Sequence, residues 1–580
     1  ALPIRCTIDF SRDNGPRLTH DFDNPHAVVT AWRLADVIPL LEQVERHARQ
    51  GRWAIGMVAY EAAAAFDQAF QTHPPPEGIP LAAFAIFDAP SKPEEETAKA
   101  GFDCSHWESD IPSGGFREKV ERIREGIAAG AYYQVNLTSR LRAEFNGEPR
   151  AFFESLCEAQ PGAYALFLDF GDWRIASVSP ELFFAWSPGK AEIVARPMKG
   201  TAPLSRSAAD LRASVKDCAE NLMIVDLLRN DIARVARQGS VRVPELFSIE
   251  TFATVRQMTS TIVGETLPDT TLGQIFAALF PCGSITGAPK MAAMQAIAAL
   301  ETSPRGAYCG ALGVVQPGGA ALFSVGIRTA ILANGKAECG VGSGITWDSD
   351  PFEEYRECQI KRRFLLRASA VFGLLESIKL EDGVYWLLDR HCARLRRSAE
   401  HFGFPFDGKA INRALRAIAE QHPKGAYAVR LLLSRRGNIA TETRPLPATP
   451  ADPAVALAET AVFSEDEFLH HKTTHRAVYE AHAPKSAGIF DTLLFNELGE
   501  ITEFTRGNVA VELDGELVTP PESSGLLHGT LRGELLAQGE LIERVLKRGD
   551  LDRASAIWFL NSLRGMFRVR LVRPAGISRG

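Results

Sequence analysis

Apolar and polar positions along the chain follow two different periods, and the alternation predicts a protein of mixed α and β class. Short segments with the two-residue period of strands are interspersed with segments in which apolar residues recur at helical spacing. One amphipathic run covers residues 216–228, and a second, more highly charged helix-like run covers residues 355–370. We expect both runs to form helices.

The pattern changes near residue 370. The helix-like run that ends there is followed by a strand pattern at residues 374–378. We therefore expect a boundary within residues 362–374, with a first unit at 1–367 and a second at 368–580. Turn or surface segments rich in proline are expected elsewhere, at residues 73–78, 91–100 and 444–453.

Composition narrows the class of protein. A chain of 580 residues that is 46% hydrophobic and 23% charged should bury large cores in two to four domains. Its formal net charge of −7 has both signs interspersed, which argues against nucleic acid or a membrane surface as the main partner. With no secretory leader and no long apolar run, a cytoplasmic location is expected. The nine scattered cysteines contain no CxxC pair, so neither a disulfide framework nor a zinc site is expected.

Two pairs of acids have the three-residue spacing that places both carboxylates on one helix face. These pairs are Asp217 with Glu220 and Glu354 with Glu357. If the two faces converge, they form an all-oxygen site suited to Mg²⁺. The other interpretation, two solvated helix faces, stays open on spacing alone.

Two glycine-rich segments could bring backbone N–H groups close to an anion. Residues 340–345 form a glycine loop without the full dinucleotide fingerprint, and residues 283–290, GSITGAPK, form a turn into a helix. The second segment is not a nucleotide-binding P-loop, because only three residues separate its glycines and Met291 follows Lys290.

Taken together, these segments resemble the chorismate-utilising enzymes, a family that includes anthranilate synthase, isochorismate synthase and aminodeoxychorismate synthase component I. The resemblance covers residues 115–364. It is carried by ordered blocks that include YYQVNLTSR, SPELFF, RPMKGTAP, KDCAENLMIVDLLRND, GSITGAPK, FSVGIRTAIL, VGSGI and EEYREC. It implies an α/β sandwich of antiparallel sheets flanked by helices, with chorismate as substrate.

Three positions indicate which reaction the resemblance implies. Family members that add water have a lysine base where this chain has Gln134, and a neutral amide cannot take a proton from water. Lys199 stands where aminodeoxychorismate synthases have lysine and anthranilate synthases usually have a small residue. Gln257 stands where many anthranilate synthases have a histidine linked to pyruvate elimination. The implied product is 4-amino-4-deoxychorismate.

The resemblance assigns further roles. Lys199 would attack C2 of chorismate, although a role only in binding a substrate carboxylate stays open. Glu181 would act as general acid, and Glu220 and Glu357 would hold Mg²⁺, with Asp217 and Glu354 as additional acids. Arg328 would grip a substrate carboxylate. Further substrate contacts are implied for Gln134, Gly200, Thr201, Thr286, Tyr308, Gly342 and Gly344.

The second unit has its own ordered set of segments, among them LLES, DRHCARL, HKTT and ITEFTRGN. From residue 374 to 570 it resembles the class IV pyridoxal-phosphate enzymes, which include aminodeoxychorismate lyase and branched-chain aminotransferase. An α+β fold and pyridoxal 5′-phosphate are implied. Lys472 would bond to the cofactor aldehyde, Glu503 would pair with the ring nitrogen, and Arg394, Asn508 and Thr530 would hold the phosphate.

The resemblances together imply a bifunctional enzyme that converts chorismate to p-aminobenzoate and pyruvate, on the way to folate. Because no Gly-x-Cys-x-Gly elbow is present, ammonia is expected from a separate glutamine amidotransferase subunit. A homodimer through the second unit is a family expectation. The alternatives are an anthranilate synthase subunit fused to an aminotransferase, a synthase with an inactive second unit, and a regulatory binding protein.

Overall fold

A computed structural model describes residues 4–11, 16–91, 101–160, 164–203, 207–251, 255–449, 451 and 453–572, without the side chains of residues 201, 203 and 255. The chain divides into two compact units, Ala1–Ser369 and Ala370–Gly580. Of the surface segment expected at residues 91–100, only Ser91 belongs to the described residues. In the part of the chain that the structure describes, no helix is long and apolar enough to cross a membrane.

The first unit is built around strands. In chain order, its described strands are β1 (Arg5–Phe10), β2 (Leu18–Asp23), β3 (Ala27–Ala31), β4 (Trp53–Val58), β5 (Ala82–Phe87), β6 (Phe102–Cys104), β7 (Glu108–Ser109), β8 (Gln134–Gly147), β9 (Tyr164–Asp169), β10 (Trp173–Ser179), β11 (Leu182–Ser187), β12 (Glu192–Arg196), β13 (Met198–Pro203), β14 (Arg242–Thr251), β15 (Val255–Glu265), β16 (Gly287–Ala288), β17 (Ala311–Val315), β18 (Ala321–Val325), β19 (Thr329–Ala333) and β20 (Lys336–Ile345).

Helices lie between these strands. The described helices of the first unit are α1 (Leu34–Arg49), α2 (Ala63–Phe66), α3 (Ser113–Ala128), α4 (Pro149–Ala159), α5 (Ala208–Arg212), α6 (Val215–Ala233), α7 (Leu272–Leu279), α8 (Lys290–Leu300), α9 (Pro351–Lys361) and α10 (Arg363–Ser369), with 3₁₀ turns at Tyr60–Ala62, Pro188–Lys190 and Gly283–Ile285.

The strands form two sheets, each with ten described strands. The first has the order β16-β8-β20-β19-β10-β9-β1-β2, with β6 and β7 also paired to β8. The second has the order β13-β15-β12-β11-β18-β17-β4-β5-β3, with β14 also paired to β15. The described pairings of both sheets are antiparallel, so the predicted sandwich of antiparallel sheets is confirmed.

The first unit has four layers, namely the two sheets and a layer of helices on the outer face of each, and apolar side chains fill the space between them. One core lies between the sheets, where Ile8 and Leu166 of the first sheet meet Ile55 and Leu312 of the second. Another lies under α1, α6 and α7 on the outer face of the second sheet. A further core lies under α3, α4, α8 and α10 on the outer face of the first. Removing this apolar surface from water is the main stabilising contribution to the unit.

Local capping explains where the two acidic helices begin. Ser214 caps α6 by accepting a hydrogen bond from the backbone N–H of Asp217 at 3.4 Å. Asp350 caps α9 by accepting from the N–H groups two and three residues later, and Pro351 occupies the first helical position, where no N–H donor is needed. The helix predicted at residues 216–228 is confirmed as part of α6. The run at residues 355–370 forms most of α9 and all of α10.

The second unit is mixed α+β. Its described strands are β21 (Leu374–Glu381), β22 (Val384–Tyr385), β23 (Ala426–Leu433), β24 (Ile439–Pro445), β25 (Ala454–Leu457), β26 (Ile489–Phe495), β27 (Ile501–Phe504), β28 (Asn508–Leu513), β29 (Glu516–Thr519), β30 (Ile542–Glu543), β31 (Ala556–Asn561) and β32 (Gly565–Val572). Its described helices are α11 (Leu388–Phe402), α12 (Gly408–Gln421), α13 (Glu467–His470), α14 (Ala477–Ala481) and α15 (Thr530–Ala537), with 3₁₀ turns at Glu522–Ser524 and Arg548–Asp552.

These strands also form two sheets. The smaller has the order β22-β21-β23-β24, and its core lies against α11 and α12. The larger has the order β27-β26-β25-β32-β31-β28-β29-β30 and is mixed, because β25 runs parallel to both β26 and β32. A central apolar core of the second unit lies mainly among the strands of this larger sheet.

A buried ion cluster lies beneath the loops of the first unit. The Glu301 carboxylate accepts hydrogen bonds from Arg305 at 2.6 and 3.1 Å, from Arg140 at 3.1 Å and from the hydroxyl of Thr138 at 2.7 Å. The ion-paired side chains are at most 2% exposed. Burial alone would raise the pKa of Glu301, but Arg305 and Arg140 outweigh it and hold this pKa below its usual value.

The same cluster holds three backbone segments together. Arg305 donates to the carbonyl oxygens of Ile285 at 2.8 Å and Asn136 at 2.9 Å. The carboxylate of Glu61 accepts from the backbone N–H groups of Arg305 at 2.7 Å and Gly306 at 2.9 Å. The start of β8, the 3₁₀ turn Gly283–Ile285 and the loop before β17 are therefore fixed to one another.

We predict that Glu301→Ala lowers the free energy of unfolding of the first unit by about 3–5 kcal/mol, because it leaves two buried arginines without their carboxylate. Urea unfolding followed by tryptophan fluorescence tests this, since six of the eight tryptophans precede residue 370. The control Glu121→Ala breaks the solvent-accessible pair with Arg124 and should change the midpoint little. Equal shifts in the two variants would contradict the prediction.

Candidate functional site

Lys199, Gln134 and Gly344 meet at one point of the first unit. A methyl group at Gly344 would lie 2.9 Å from Lys199 Nζ and 2.4 Å from Gln134 Nε2, so only glycine leaves room for both side chains. The Lys199 amine makes no hydrogen bond or ion pair with any described residue. It is therefore free to meet a ligand.

Gln134 is buried, at 1% exposed, and neither its Oε1 nor its Nε2 has a hydrogen-bond partner among the described residues. A buried amide without partners is destabilising, and native structures contain few of them. An amide left this way beside a free amine indicates a position where a ligand supplies the missing hydrogen bonds.

Glu181 lies between β10 and β11 and is 4% exposed. Its Oε1 accepts a hydrogen bond from the hydroxyl of Ser284 at 2.7 Å. Burial raises the pKa of Glu181 to about 7, while the hydrogen bond from Ser284, the charge of Lys199, the backbone N–H of Met198 and the charge of Lys361 act in the opposite direction. A carboxyl group with this pKa can carry a proton near neutral pH and give it up, as a general acid must.

The acids of α6 and α9 approach each other. Burial raises the pKa of Glu220, Lys199 and Lys216 oppose this, and the charges of Glu357 and Glu354 add to it. Within the described ranges, no group of three or more histidine, cysteine, aspartate or glutamate side chains is arranged to hold a metal ion. Mg²⁺ takes one or two carboxylates with water and substrate oxygens, and a Glu220–Glu357 pair fits that requirement.

The two additional acids predicted here have other neighbours. Glu354 is 5% exposed and accepts a hydrogen bond from Ser349 at 2.7 Å. Asp217 lies beside Gly200, where an added methyl group would be 3.1 Å from Asp217 Cβ. Gly200 follows Lys199 in β13, so Asp217 borders the strand that carries the candidate nucleophile.

Lys361 was not identified from the sequence. Its amine pairs with Glu357 Oε1 at 2.7 Å and donates to the carbonyl oxygen of Gly342 at 2.9 Å. Lys361 thereby lowers the pKa of Glu357. Its spacing in the sequence could have indicated this pairing, because Lys361 follows Glu357 by four residues and shares its helix face.

Arg328 is the candidate for holding a carboxylate. It makes no ion pair or hydrogen bond through its guanidinium with the described residues, and it lies 6.0 Å from the ring of Phe364. Burial lowers the pKa of Arg328 to about 10. An enclosed guanidinium without a partner carboxylate is suited to bind an anionic ligand in a bidentate way.

Two of the remaining predicted contact residues are buried in the first unit. Thr286 is fully buried, and its hydroxyl donates to the carbonyl oxygen of Cys282 at 3.0 Å. Tyr308 is 5% exposed, and Arg140 lies 5.3 Å from its ring. The side chain of Thr201 lies outside the described part of the structure. Substrate contacts by these residues stay predictions.

Lys472 of the second unit is enclosed among charged groups. Burial, together with the charges of Arg394 and Arg476, lowers the pKa of Lys472 to about 8, while Glu376 and Glu503 act in the opposite direction. Its amine makes no hydrogen bond or ion pair with the described residues. A lysine with a lowered pKa has more of the uncharged amine that bonds to an aldehyde.

Glu503 is held by three donors. Tyr479 donates to its Oε1 at 2.7 Å, the backbone N–H of Leu527 donates to the same oxygen at 3.1 Å, and Asn508 Nδ2 donates to its Oε2 at 3.1 Å. Burial raises the pKa of Glu503 to about 8 despite these donors. A cation beside this carboxylate, such as a protonated ring nitrogen, would favour its charged form.

Arg394 forms an ion pair with Glu376, a residue to which the sequence analysis assigned no role. Glu376 accepts from Arg394 at 2.8 and 2.7 Å, and its Oε2 lies 2.6 Å from His391 Nδ1. His391 Nε2 lies 3.3 Å from the hydroxyl of Thr530, the first residue of α15. Arg394 also donates to the carbonyl oxygen of His528 at 3.0 Å, and its remaining N–H groups can reach an anion.

The start of α15 is closely packed against Asn508. A methyl group at Gly529 would lie 1.8 Å from Asn508 Oδ1, so the backbone approaches more closely than any other residue would allow. Free N–H groups at a helix N-terminus favour phosphate. Lys472, Glu503 and the α15 terminus together fit pyridoxal 5′-phosphate.

Comparison with known proteins shows two families. Residues 12–367 match the family of chorismate binding enzymes, and residues 373–572 match the amino-transferase class IV family. Aminodeoxychorismate synthase component 1 of Escherichia coli is 41% identical over 260 residues, which cover 44% of this chain and 57% of that protein. Anthranilate synthase component 1 of Streptomyces coelicolor is 36% identical over 288 residues, covering 48% and 55%.

The chain thus spans little more than half the length of these curated relatives. Among solved structures, anthranilate synthase component I from Streptococcus pneumoniae TIGR4 is similar, with a TM-score of 0.51 and 27% identity. The similarity covers 62% of this chain and 91% of that one. The two-sheet fold of the first unit is therefore similar to that of this anthranilate synthase component I.

We predict that Gly344→Ala lowers kcat/KM for chorismate about 100-fold, because the added methyl group displaces Lys199 and Gln134 from their meeting point. Steady-state kinetics with thermal unfolding as a stability check tests this. Gly189→Ala is the matched control, since a methyl group there meets nothing within 4 Å. Unchanged kinetics in Gly344→Ala would disprove the close packing of the two side chains.

Proposed function

The chain belongs to the family of chorismate binding enzymes, and from this premise we propose that its first unit replaces the C4 hydroxyl of chorismate with an amine. The product would be 4-amino-4-deoxychorismate. The observation that carries the proposal is that the Lys199 amine lies beside the Gln134 amide and that neither group has a hydrogen-bond partner among the described residues. Similarity to aminodeoxychorismate synthase component 1 supports it.

The proposed reaction has two displacements. The uncharged amine of Lys199 attacks C2, the ring double bonds shift, and the C4–O bond breaks as Glu181 gives its proton to the departing oxygen, which leaves as water. Ammonia then attacks C4, the double bonds shift back, and the C2–N bond to Lys199 breaks with its electron pair returning to the lysine. The pKa of Glu181 is raised to about 7, so this carboxyl group can hold a proton near neutral pH, which supports its role as proton donor.

The neutral side chain of Gln134 supports ammonia as the nucleophile. An amide cannot remove a proton from water at neutral pH, but its Oε1 can accept a hydrogen bond from ammonia. Because both of its polar atoms lack partners among the described residues, Gln134 can bind the incoming nucleophile without breaking an existing bond.

Charge complementarity supports a dianionic substrate. Arg328 would bind one carboxylate of chorismate, and Mg²⁺ held by Glu220 and Glu357 would bind the other. The metal would neutralise negative charge at the ring carboxylate. Lys361 would leave its present bond to Glu357 or share that carboxylate when the metal is bound.

We propose that ammonia comes from a separate glutamine amidotransferase subunit. The sequence contains no Gly-x-Cys-x-Gly elbow for a glutaminase nucleophile. Free ammonia is also scarce near neutral pH, where most of it is ammonium. The assays below use this chain without such a subunit, so an ammonium salt is added as the source of ammonia.

The second unit is proposed to bind pyridoxal 5′-phosphate and to release pyruvate from the amino intermediate, giving p-aminobenzoate for folate synthesis. Its match to class IV aminotransferases supports the cofactor. The bound cofactor would supply an electron sink. The choice of lyase over transaminase rests on substrate continuity, since the first unit would produce the substrate of such a lyase.

Several side chains of the second unit have defined tasks in this proposal. Lys472 Nζ would hold the cofactor and later move a proton on the substrate. Glu503, oriented by Tyr479 and Asn508, would hold a proton at the ring nitrogen. Arg394 would bind the phosphate with the N–H groups at the start of α15.

A second candidate function is anthranilate synthesis. Similarity to anthranilate synthase component 1 in both sequence and fold favours it. The two candidates differ in the position of the nitrogen on the aromatic product, 2 or 4 relative to the carboxylate. Lys199 supports a nitrogen at position 4, because attack at C2 by a lysine leaves C4 for ammonia.

We predict that Lys199→Ala reduces C4 amination by several orders of magnitude, because it removes the amine that is proposed to attack C2. Product analysis by chromatography and mass spectrometry, with chorismate, an ammonium salt and Mg²⁺, measures the loss. Lys190→Ala, which removes an exposed lysine, is the control. Wild-type amination by Lys199→Ala would reject the covalent role, and a 2-amino product from the wild-type protein would reject the proposed function.

We predict that Lys472→Ala leaves amination intact and causes 4-amino-4-deoxychorismate to accumulate. Borohydride reduction followed by peptide mass analysis should find the cofactor on Lys472 in the wild-type protein and on no peptide of the variant. The control Lys485→Ala removes a lysine that is 72% exposed. Normal p-aminobenzoate output from Lys472→Ala would contradict the assignment, and cofactor binding without lyase activity would indicate an inactive second unit.

A further inference from the structure

Ser284 lies between the candidate general acid and a buried thiol. Its hydroxyl oxygen is 2.7 Å from Glu181 Oε1 and 3.3 Å from the sulfur of Cys282. Ser284 is 6% exposed, and the other two residues are each 4% exposed. Solvent therefore has little access to the three side chains, and they must satisfy one another.

The direction of these hydrogen bonds follows from the number of protons. A hydroxyl group has one proton and two acceptor lone pairs. A carboxyl oxygen is a stronger acceptor than sulfur, so the hydroxyl proton of Ser284 goes to Glu181. Burial raises the pKa of Cys282 to about 12, so the thiol keeps its proton and can donate it to Ser284.

This arrangement makes the two oxygens of Glu181 unequal. A protonated carboxyl group has one carbonyl oxygen, which accepts hydrogen bonds, and one O–H, which donates. Because Oε1 accepts from Ser284, it is favoured as the carbonyl oxygen. This hydrogen bond therefore favours the acidic proton on Oε2.

We propose that Ser284 is a positioning residue that keeps the acidic proton of Glu181 on Oε2 and stabilises the carboxylate that forms when this proton leaves. The inference rests on the proposed amination of chorismate. Ser284 itself does not touch the substrate in this role.

The proton balance of the step defines when Ser284 acts. The proton moves from Glu181 Oε2 to the oxygen on C4, the C4–O bond breaks with its electron pair on that oxygen, and water leaves. Glu181 becomes a carboxylate while Ser284 still donates to Oε1. A hydrogen bond to a charged acceptor is stronger than one to a neutral acceptor, so the bond gains strength as the transition state is reached.

The turn that carries Ser284 is held in place by other bonds. The hydroxyl of Thr286 donates to the carbonyl oxygen of Cys282 at 3.0 Å, and Arg305 donates to that of Ile285 at 2.8 Å. The donor is therefore oriented before the substrate arrives, which is the condition for effective stabilisation of developing charge.

The charged and titratable groups that face Glu181 define the expected pH dependence. They are Lys199 on β13, Lys361 on α9 and Cys282 beside the turn. When charged, both lysines favour the carboxylate, as the hydrogen bonds from Ser284 and from the backbone N–H of Met198 do. Activity requires the protonated acid, so it falls as pH rises through the pKa of Glu181. Removing the Ser284 donor raises this pKa further and moves the basic limb of the profile to higher pH.

The test compares Ser284→Ala and the nearly isosteric Ser284→Cys with the wild-type full chain. The kinetic parameters kcat and KM for chorismate are measured across pH with Mg²⁺ and a constant concentration of free ammonia. We expect Ser284→Ala to lose about tenfold in kcat, with KM within about twofold, and to shift its basic limb upward. Ser284→Cys, a weaker donor that fills the same space, should be intermediate in both.

Ser324→Ala is the matched control. Ser324 is fully buried, and its hydroxyl donates to the carbonyl oxygen of Leu312 at 3.2 Å rather than to the general acid. A wild-type kcat and basic limb in Ser284→Ala would overturn the inference. A loss of kcat without a shift of the limb, equal to that of Ser324→Ala, would also overturn it by showing a packing role.

The same assays separate this inference from the proposed function. Product identification in the wild-type runs reports whether nitrogen enters at C4. If it does not, the proposed function fails, whatever Ser284 does. If it does and Ser284→Ala behaves like the wild type, only the role of Ser284 fails.

Discussion

The first unit depends on the ion pairing of one carboxylate, Glu301, with two buried arginines. An isolated charge at this depth would be strongly destabilising, and the pairing removes that penalty only because every member is hydrogen-bonded. Through Arg305 the cluster fixes the carbonyl oxygens of Ile285 and Asn136. These two residues flank the positions that matter most for the site, since Ser284 precedes Ile285 and Gln134 is two residues before Asn136.

Each unit combines a buried glutamate of raised pKa with a lysine whose amine has no partner in the described part of the chain. In the first unit burial raises the pKa of Glu181 to about 7, and in the second it raises that of Glu503 to about 8. Partial desolvation is the largest cause in each case, and hydrogen-bond donors oppose it. The same balance of burial and donors thus prepares groups for different tasks on unrelated folds.

The sequence predicted the fold class and the helices of the acids, because amphipathic periodicity is a local property. The helix α6 and the run that became α9 and α10 follow from spacing, whereas the structure shows that their first residues are set by the caps Ser214 and Asp350. The roles of Lys199 and Lys472 came from resemblance, since no local pattern shows that a lysine lacks a partner. Gln134 lies on β8 of the first sheet and Lys199 on β13 of the second, so their meeting depends on how the two sheets are placed against each other. The hydrogen bonds that Arg394 donates to Glu376 join a helix to a strand. Neither contact could be predicted from spacing.

The guanidinium of Arg328 has no counter-ion among the residues that the structure describes, and this has a consequence for stability as well as for recognition. A buried cation without a counter-ion lowers the free energy of unfolding of the ligand-free protein, and a bound carboxylate removes that destabilisation. Substrate binding is therefore coupled to resistance against heat and proteases. The empty protein should also attract simple oxyanions from its surroundings, so that buffer phosphate or sulfate competes with the substrate and apparent affinities vary with the salt that is chosen.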